Sequence, residues 1–578
     1  MAERAPSLPT NAVLAERFEL LADMLELDGA DAFRLSAYRR AAARIRESAA
    51  PVAQLAMDGK ATQIPGIGST IEGKIVEFTE TGDLRALAKL RDALPTGLVD
   101  VMHVPGLGPK TARLVWKELG VSSLDDLRVA AETERLRELP GLGAKTEERV
   151  LTALAKQQEG GKGDAPPRVL LGRVLPVVRE VVAELGEHPA CERVSEAGSA
   201  RRRCETSRDV DFIATSTDAP ALIAHFVELP RVAEVVAHGP TKATVTTYDG
   251  FRIDLRVVPP EAYGNLLQHF TGSKDHNVAL REDAVRRNLS ISEYGIKDTE
   301  SGEVFASEDE AAVYERLGYA WIPPELRENR GELEAARRDE LPALIELGDV
   351  KGDLHMHTTW SDGRASLDEM VAAARALGRK YIAICDHARR LKGELLEQQA
   401  AEIAAAKERA DGITILRGVE VDIRRDGSLD MEDDLLAGLD WVMASVHSGF
   451  DAPRDELTKR VLAALDHPHV DCIGHPTGRK LNRRQPYDLD FDTVFARAAE
   501  TGTFLEINAQ PDRLDLRDSH ARAAAEAGVK IVISTDAHRV HELENLELGV
   551  FQARRGWLTK DDVVNTRTWA QVRKLMKA

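Results

Sequence analysis

The run from Gly352 to Gly363 sets His355, His357 and Asp362 close together, immediately after a polar break. Further along come His387, Glu420, His447, His475, Asp536 and His538, nearly all at the ends of short apolar, strand-like runs. Such a set is too large for one metal ion and suits a cluster that hydrolyses phosphate esters. Imidazole mixed with carboxylate fits Zn²⁺ or Mn²⁺ better than an all-oxygen Mg²⁺ cage. Any one of these residues, His447 for instance, is by itself an ordinary polar group at a strand end. The spacing carries the reading: His-x-His, Asp-His, Gly-Val-Glu, Gly-His-Pro and Asp-x-His in succession. His467, His469, His520 and His541 fall outside that pattern.

A second acidic constellation occupies the other half of the chain. Asp209 and Asp211 form an Asp-x-Asp pair in a strand-like run, and side chains two apart on a strand share a face. Asp254 sits on a later run of the same kind, and Gly198 with Ser199 makes a turn upstream. Three carboxylates on neighbouring strands hold two Mg²⁺ or Mn²⁺ ions and align an in-line phosphoryl transfer. An isolated Asp-x-Asp is otherwise a solvated strand edge; the turn and the third aspartate weigh against that. Two separate phosphate chemistries are expected.

Three short loops add a third feature. Ile64–Gly68, Val104–Gly108 and Leu139–Gly143 each read apolar residue, proline, then Gly-x-Gly ahead of a helical run. Gly66, Gly68, Gly106, Gly108, Gly141 and Gly143 permit tight turns. Each turn presents amides at a helix N-terminus, where a phosphate sits well. The plain alternative is three helical hairpins packed together without a ligand.

The elements that must position these groups follow from periodicity. Residues 12–60 read as helices, with Phe18, Leu21, Leu25, Phe33, Tyr38 and Ile45 as apolar markers. Gln157–Pro167 reads as a linker. A helix over 169–185 and strands near 191–197, 209–214, 232–237, 243–248 and 251–258 make a small α+β domain. Residues 261–325 read as helix and turn, and 325–350 as a helix plus linker. From 351 onward strands near 381–385, 413–419, 441–446, 471–474, 504–508 and 531–535 alternate with Ala-rich helices, the pattern of a β/α barrel.

A chain of 578 residues exceeds one core and implies roughly three to five domains. Four widely spaced cysteines without a CxxC pair suit a reducing compartment. No signal peptide or bilayer-length apolar run is evident, so the cytoplasm is the expected location. The net charge of -19 argues against a polycation that coats nucleic acid. Residues 301–350 alone carry 13 acidic and 5 basic groups, which leaves room for local basic patches elsewhere.

The three loops resemble the helix-hairpin-helix motif, which grips a DNA backbone without reading its sequence. Together with the Gly-Ser turn and three aspartates they resemble the family X DNA polymerases. The run His355 to His538 is similar to the PHP (polymerase and histidinol phosphatase) domain. The resemblance implies a multidomain chain: an all-α helix-hairpin-helix region, an α+β nucleotidyltransferase palm with thumb, and a distorted β/α barrel. Its parts would be a lyase-like helical domain (1–95), a fingers-like helix-hairpin-helix domain (96–160), a palm (168–260), a thumb (261–325), a linker (326–350) and a PHP domain (351–578).

By resemblance, Gly198, Ser199 and Arg202 would hold a triphosphate, and Asp209 and Asp211 would bind both palm metals. Asp254 would bind the catalytic ion. Phe270 and Gly272 would flank the sugar, Asn277 would face the base, and Arg281 would lie on the template side, near Glu293 and Tyr294. Lys74, with Arg34, Ser36 and Tyr38 nearby, matches a Schiff-base lyase position; Thr70 stands where lysine is usual. In the barrel one ion would take His355, His357, Glu420 and Asp536, a second Glu420, His447 and His475, and a third Asp362, His387 and His538. Arg390, Lys392, Arg479, Lys480, Arg483 and Arg484 are candidate phosphate contacts, against ordinary solvated charge.

Three departures bear on activity. Arg203 and Arg208 stand where the family has glycine, and His269 replaces a tyrosine. The implied function is short gap filling on gapped or nicked DNA with dNTPs by a monomer, with 3′-5′ exonuclease activity and, as further activities of the PHP domain, abasic-site endonuclease and 3′-phosphatase. The alternatives are a DNA-end nuclease or binding protein with an impaired palm, and a small-molecule phosphatase acting on a histidinol-phosphate-like substrate.

Overall fold

The computed structural model describes residues 8–9, 11–48, 51–64, 66–104, 106–159 and 168–577. Pro65, Pro105 and residues 160–167 of the expected linker lie outside them. The chain divides into two compact units, residues 1–167 with 218–256, and residues 168–217 with 257–578.

In the first unit, helices from Asn11–Asp28 to Ala144–Glu159 share one apolar core that includes Phe18, Leu21, Ile45, Ile75, Leu98, Val115 and Leu127. The three glycine loops have one geometry. The amides of Ile67, Leu107 and Leu142 donate to the carbonyls of Ile64, Val104 and Leu139 at 3.0, 2.9 and 3.1 Å. Ile67, Leu107 and Leu142 plug into the core, while the glycines on either side stay at the surface or only partly covered. Gly66, Gly106 and Gly141 have φ of 96°, 97° and 83°, a region that side chains disfavour. Gly68 and Gly108 cap the helices Ser69–Thr81 and Pro109–Leu119. The same unit contains the antiparallel strands Val232–His238 and Lys242–Thr247 and most of Arg252–Val258.

The second unit begins with the helix Leu171–Gly186 and the antiparallel strands Cys191–Glu196 and Asp209–Ser216. The helices Tyr263–Thr271 and Lys274–Val285 follow. A three-stranded antiparallel sheet, Leu289–Ser292, Gly295–Asp298 and Val304–Phe305, comes next, which the helix-and-turn reading does not include. The acidic stretch after it is packed: Glu325, Arg327 and Glu332 are buried. Its charges are answered by partners, Glu325 by Arg554 at 2.7 Å, Arg327 by Glu310 at 2.6 Å and Glu332 by His276 at 2.6 Å.

From Gly352 seven parallel strands follow in spatial and chain order, Gly352–Met356, Tyr381–Ile384, Thr414–Asp422, Trp441–Ser445, Cys472–Ile473, Phe504–Asn508 and Ile531–Ser534. Most are buried throughout, as expected of parallel strands covered on both faces. A bridge between Met356 and Ala537 draws the last strand toward the first. The result is a nearly closed, distorted β/α barrel. Among the described residues no helix is long and apolar enough to cross a membrane.

Candidate metal centre and nucleotide cavity

The nine expected barrel ligands converge at the C-terminal ends of the strands. His355 lies near the end of the first strand and His357 just beyond it, His387 follows the second, and Glu420 lies near the end of the third. His447 and His475 follow the fourth and fifth; Asp536 and His538 follow the seventh. Asp362 enters from the loop after the first strand. Asp536 and His475 have φ of 52° and 31°, uncommon for residues other than glycine and frequent where backbone strain serves a site.

Glu420 is the hub. Its carboxylate lies 3.0 Å from His387, 3.1 Å from His475, 3.4 Å from His447 and 3.7 Å from both His355 and His357. Asp536 approaches His357 at 3.2 Å and His355 at 3.6 Å. Asp362 approaches His538 at 3.4 Å and His387 at 3.5 Å. Donor atoms gather into groups within 4.8 Å: His355, His357 and Asp536; Glu420, His447 and His475; His357, Asp362, His387 and His538; and His387, Asp422 and His447. Imidazole nitrogens facing one another around shared carboxylates form a donor set that fits divalent cations.

Asp422 and Glu506 were missing from the sequence-derived set. Asp422 holds the Nδ1 of His447 at 2.6 Å, and Glu506 holds the Nδ1 of His355 at 2.8 Å. Glu506 also accepts the backbone amide of His475 at 2.6 Å. Such partners orient a ligand ring and set its tautomer. Both had a sequence signal. Asp422 lies two residues from Glu420 on one strand, and Glu506 is the lone acid in the run Phe504–Asn508. Asp386 accepts from Thr358, Ser361 and Gln399 and braces the loop that carries Asp362.

Imidazoles and carboxylates packed this closely shift one another's proton affinities. Burial pushes His387 and His447 down, but Asp362 and Glu420 outweigh it for the first and Glu420 with Asp422 for the second. The net result is about 10 for His387 and about 9 for His447. Burial, with Arg513 adding to it, pushes His475 down to about 3. Burial opposes ionisation of Glu420 and Asp536, yet the surrounding imidazoles hold both well below the usual carboxylate range. Protons here do part of the charge balancing that a cation would do.

A cavity of about 450 Å³ opens onto this cluster, lined by Asp536 and His538 together with Lys480, Gln510, Arg513 and Glu542. Of the cations expected near phosphate, Lys480 lines it, while Arg479 is tied to Glu205 at 2.7 Å. Arg390 and Lys392 are exposed on the segment after His387.

A separate cavity of about 580 Å³ lies in the same unit. Gly198, Ser199, Arg202, Asp209, Asp211, Phe270, Gly272, Asn277 and Arg281 all line it, with His269 and Arg208. A Cβ on Gly198 would lie 2.2 Å from the Asp211 carboxylate, so only glycine fits that turn. Arg202 donates to the Thr271 carbonyl and pairs with Glu328 at 3.1 Å. Asn277 donates to the His269 carbonyl at 2.7 Å and accepts from Gln268 at 2.9 Å. His269 lies 3.3 Å from Arg281.

Arg203 is not in that wall. Its φ is 55°, which explains why glycine suits the position. Its guanidinium pairs with Glu196 at 2.7 Å and lies 4.9 Å over the Phe551 ring. Arg208, by contrast, lines the cavity beside Asp209. In the other unit, Asp254 accepts from Thr244 and lies 3.4 Å from Arg252. Lys74 is half-buried on the helix Ser69–Thr81, whereas Tyr38 is buried 6.2 Å from the Phe18 ring.

Family models match a helix-hairpin-helix domain at residues 9–84 and a SAM-like helix-hairpin-helix tandem at 98–156. Others match a DNA polymerase beta thumb at 266–328 and a PHP domain at 353–510. The chain is 41% identical over 568 residues to DNA polymerase/3'-5' exonuclease PolX of Bacillus subtilis (strain 168), covering 97% of this chain and 98% of that protein. This chain belongs to the family X DNA polymerases with a PHP domain. The PHP region also resembles shorter proteins. Over 226 residues, 37% of this family X chain, it is 32% identical to a protein named probable phosphatase from Thermoanaerobacter sp. (strain X514), covering 89% of that protein.

Proposed function

We propose that this family X polymerase fills short gaps in DNA and trims 3′ ends at its PHP domain. Full-length similarity to a polymerase with exonuclease activity in its name carries the reading. In the palm, Asp209, Asp211 and Asp254 would hold Mg²⁺ or Mn²⁺, and Gly198, Ser199 and Arg202 would hold the triphosphate. Bound there, the ions supply the positive charge that in-line phosphoryl transfer needs. Phe270 and Gly272 orient the sugar, Asn277 faces the base, and Arg281 holds the template side.

In the barrel, His355, His357, Asp362, His387, Glu420, His447, His475, Asp536 and His538 would hold Zn²⁺ or Mn²⁺. Ions in such a cluster supply a hydroxide near neutral pH and offset phosphate charge. Asp422 and Glu506 keep His447 and His355 oriented, and Lys480 with Arg513 attracts the phosphate. The glycine loops would grip both sides of a gap through backbone amides. Lys74 is proposed as the lyase nucleophile. We further propose a monomer in the cytoplasm; the four cysteines are free thiols, in keeping with a reducing compartment. The place of Arg208 beside Asp209 favours one rival, a nuclease with an impaired palm.

A 5′-labelled primer on a gapped duplex in Mn²⁺, with and without dNTPs, separates these readings. Extension should be lost in the Asp209→Ala/Asp211→Ala protein and shortening in the His355→Ala/His357→Ala protein. Shortening without extension in wild type would sink the polymerase reading and leave the nuclease.

A further inference from the structure

A cavity of about 400 Å³ lies in the loops that follow the fifth and sixth barrel strands. Arg479, Lys480, Arg483, Arg484 and Arg517 line it, and among the described residues no carboxylate does. Part of that charge is answered from other directions. Arg479 pairs with Glu205 and Lys480 with Asp512. Arg484 donates to the Gly478 carbonyl at 2.8 Å and stacks 4.1 Å over Phe450. Arg517 lies 3.9 Å from Asp518. Among the described residues Arg483 makes no ion pair.

Two polar groups in the wall point to an absent partner. Among the described residues Thr477 Oγ1 and Arg479 Nε find no hydrogen-bond partner, although their residues are only 1% and 6% exposed. Buried polar atoms of this kind are unfavourable unless a ligand or water meets them. Burial, followed by Arg517 and Arg479, pushes His520 in the same wall down to about 4, consistent with a cationic enclosure. Lys480 belongs to this wall and to the wall of the cavity at the metal cluster. The two cavities therefore adjoin.

We propose that this cavity receives a backbone phosphate of the DNA strand whose 3′ end lies at the metal cluster, so that the centre selects polynucleotides over small phosphate esters. The assignment rests on the nuclease reading above. Guanidinium groups match phosphate oxygens in a planar, two-point fashion, and a clustered set holds one bridging anion of a strand without reading its sequence. A short ester fills the metal cavity alone and gains nothing from the arginines beyond it.

The test uses full-length, Mn²⁺-loaded protein as wild type, Arg483→Ala, Arg517→Ala and Arg517→Lys. Both arginines are exposed, and matched thermal melts check that the variants fold. Substrates are single-stranded oligonucleotides from a dinucleotide to a dodecamer, and the p-nitrophenyl ester of thymidine 5′-phosphate. Wild-type kcat/KM should rise with length. The alanine variants should lose roughly tenfold on the long strands, mainly in KM, with turnover of the ester held. Arg517→Lys should recover part of the loss. Each lost contact should also flatten the salt dependence of log KM by about 0.7.

Equal loss on every substrate, or an unchanged length profile, overturns the assignment. An inorganic-phosphate arm identifies a free-anion site. Inhibition of ester turnover that the alanine variants relieve, without a length effect, also overturns it. Wild type that cleaves the ester but leaves all oligonucleotides intact refutes the nuclease reading itself.

Discussion

His387 and His447 carry the strongest residue-scale expectation. Their folded values of about 10 and about 9 lie above the ordinary 6.5, so without metal both rings are protonated at pH 7.5. A ring must lose its proton to bind a cation, so loading the cluster should release about two protons from these rings at that pH. His355, which against burial is held well above its ordinary value by Glu506, Asp536 and Glu420, adds to them. Affinity should then climb as pH rises toward 9 and 10. Calorimetric titration in buffers of different ionisation enthalpy reads this directly; heats that do not depend on the buffer would contradict it. The sign for the metal-free protein is opposite. Raised histidine values stabilise the fold fully below pH 6.5, and that contribution disappears as pH rises through 9 to 10. Arg203 illustrates a different residue-scale point. The position favours glycine for its backbone, yet the side chain turns to Glu196 and Phe551 and leaves the nucleotide cavity open.

Among the elements, the glycine loops join sequence to geometry most directly. Each places an apolar plug between two surface glycines, and the first glycine needs a positive φ. A methyl group on Gly106 would lie 3.7 Å from Thr146 and Arg149, so the obstacle is the backbone and not space. Gly106→Ala should cost about 1–2 kcal/mol of stability. It should also weaken binding to gapped duplex, because the loop can no longer present its amides in one orientation. Denaturant titration and DNA anisotropy test the two effects, and unchanged values for both would refute the backbone account. The barrel helices and strands behave differently. Their long apolar runs tolerate variation, and the C-terminal ends of the strands carry the chemistry.

At the scale of the whole molecule, the larger unit is sewn together by buried charge. Arg555, near the end of the helix Leu546–Arg555, pairs with Glu328 at 2.9 Å and Asp518 at 2.9 Å, and donates to the Arg202 carbonyl at 2.8 Å. Glu328 in turn holds the Arg202 guanidinium in the nucleotide cavity. Arg555→Ala leaves the buried Asp518 and the half-buried Glu328 short of a partner and should destabilise this unit by about 3–5 kcal/mol. It should also raise the KM for dNTP, since Glu328 would then compete more strongly for Arg202. Arg555→Lys should retain part of both. Chemical denaturation with primer-extension kinetics checks the pair; a stability loss without a KM change would confine Arg555 to the fold.

Much of this protein was legible in residue order because local rules governed it. Strand runs, glycine turns and the spacing His-x-His to Asp-x-His depend on periodicity and on residues a few positions apart. They pointed to the barrel strands, the three loops and the nine residues that the fold gathers at one end of the barrel. The second unit's three-stranded sheet was missed because its strands are short and lack a long apolar alternation. The acidic stretch at 325–350 read as a helix plus linker because composition counts charges without their partners. Arg327, Glu332 and Arg555 are buried only because residues far away in the chain answer them. The same holds for the cationic cavity, whose arginines come from two separate loops. Charge pairing across such distances was decided by the tertiary structure, since the energy of an ion pair depends on the separation in space and on the solvent excluded around it.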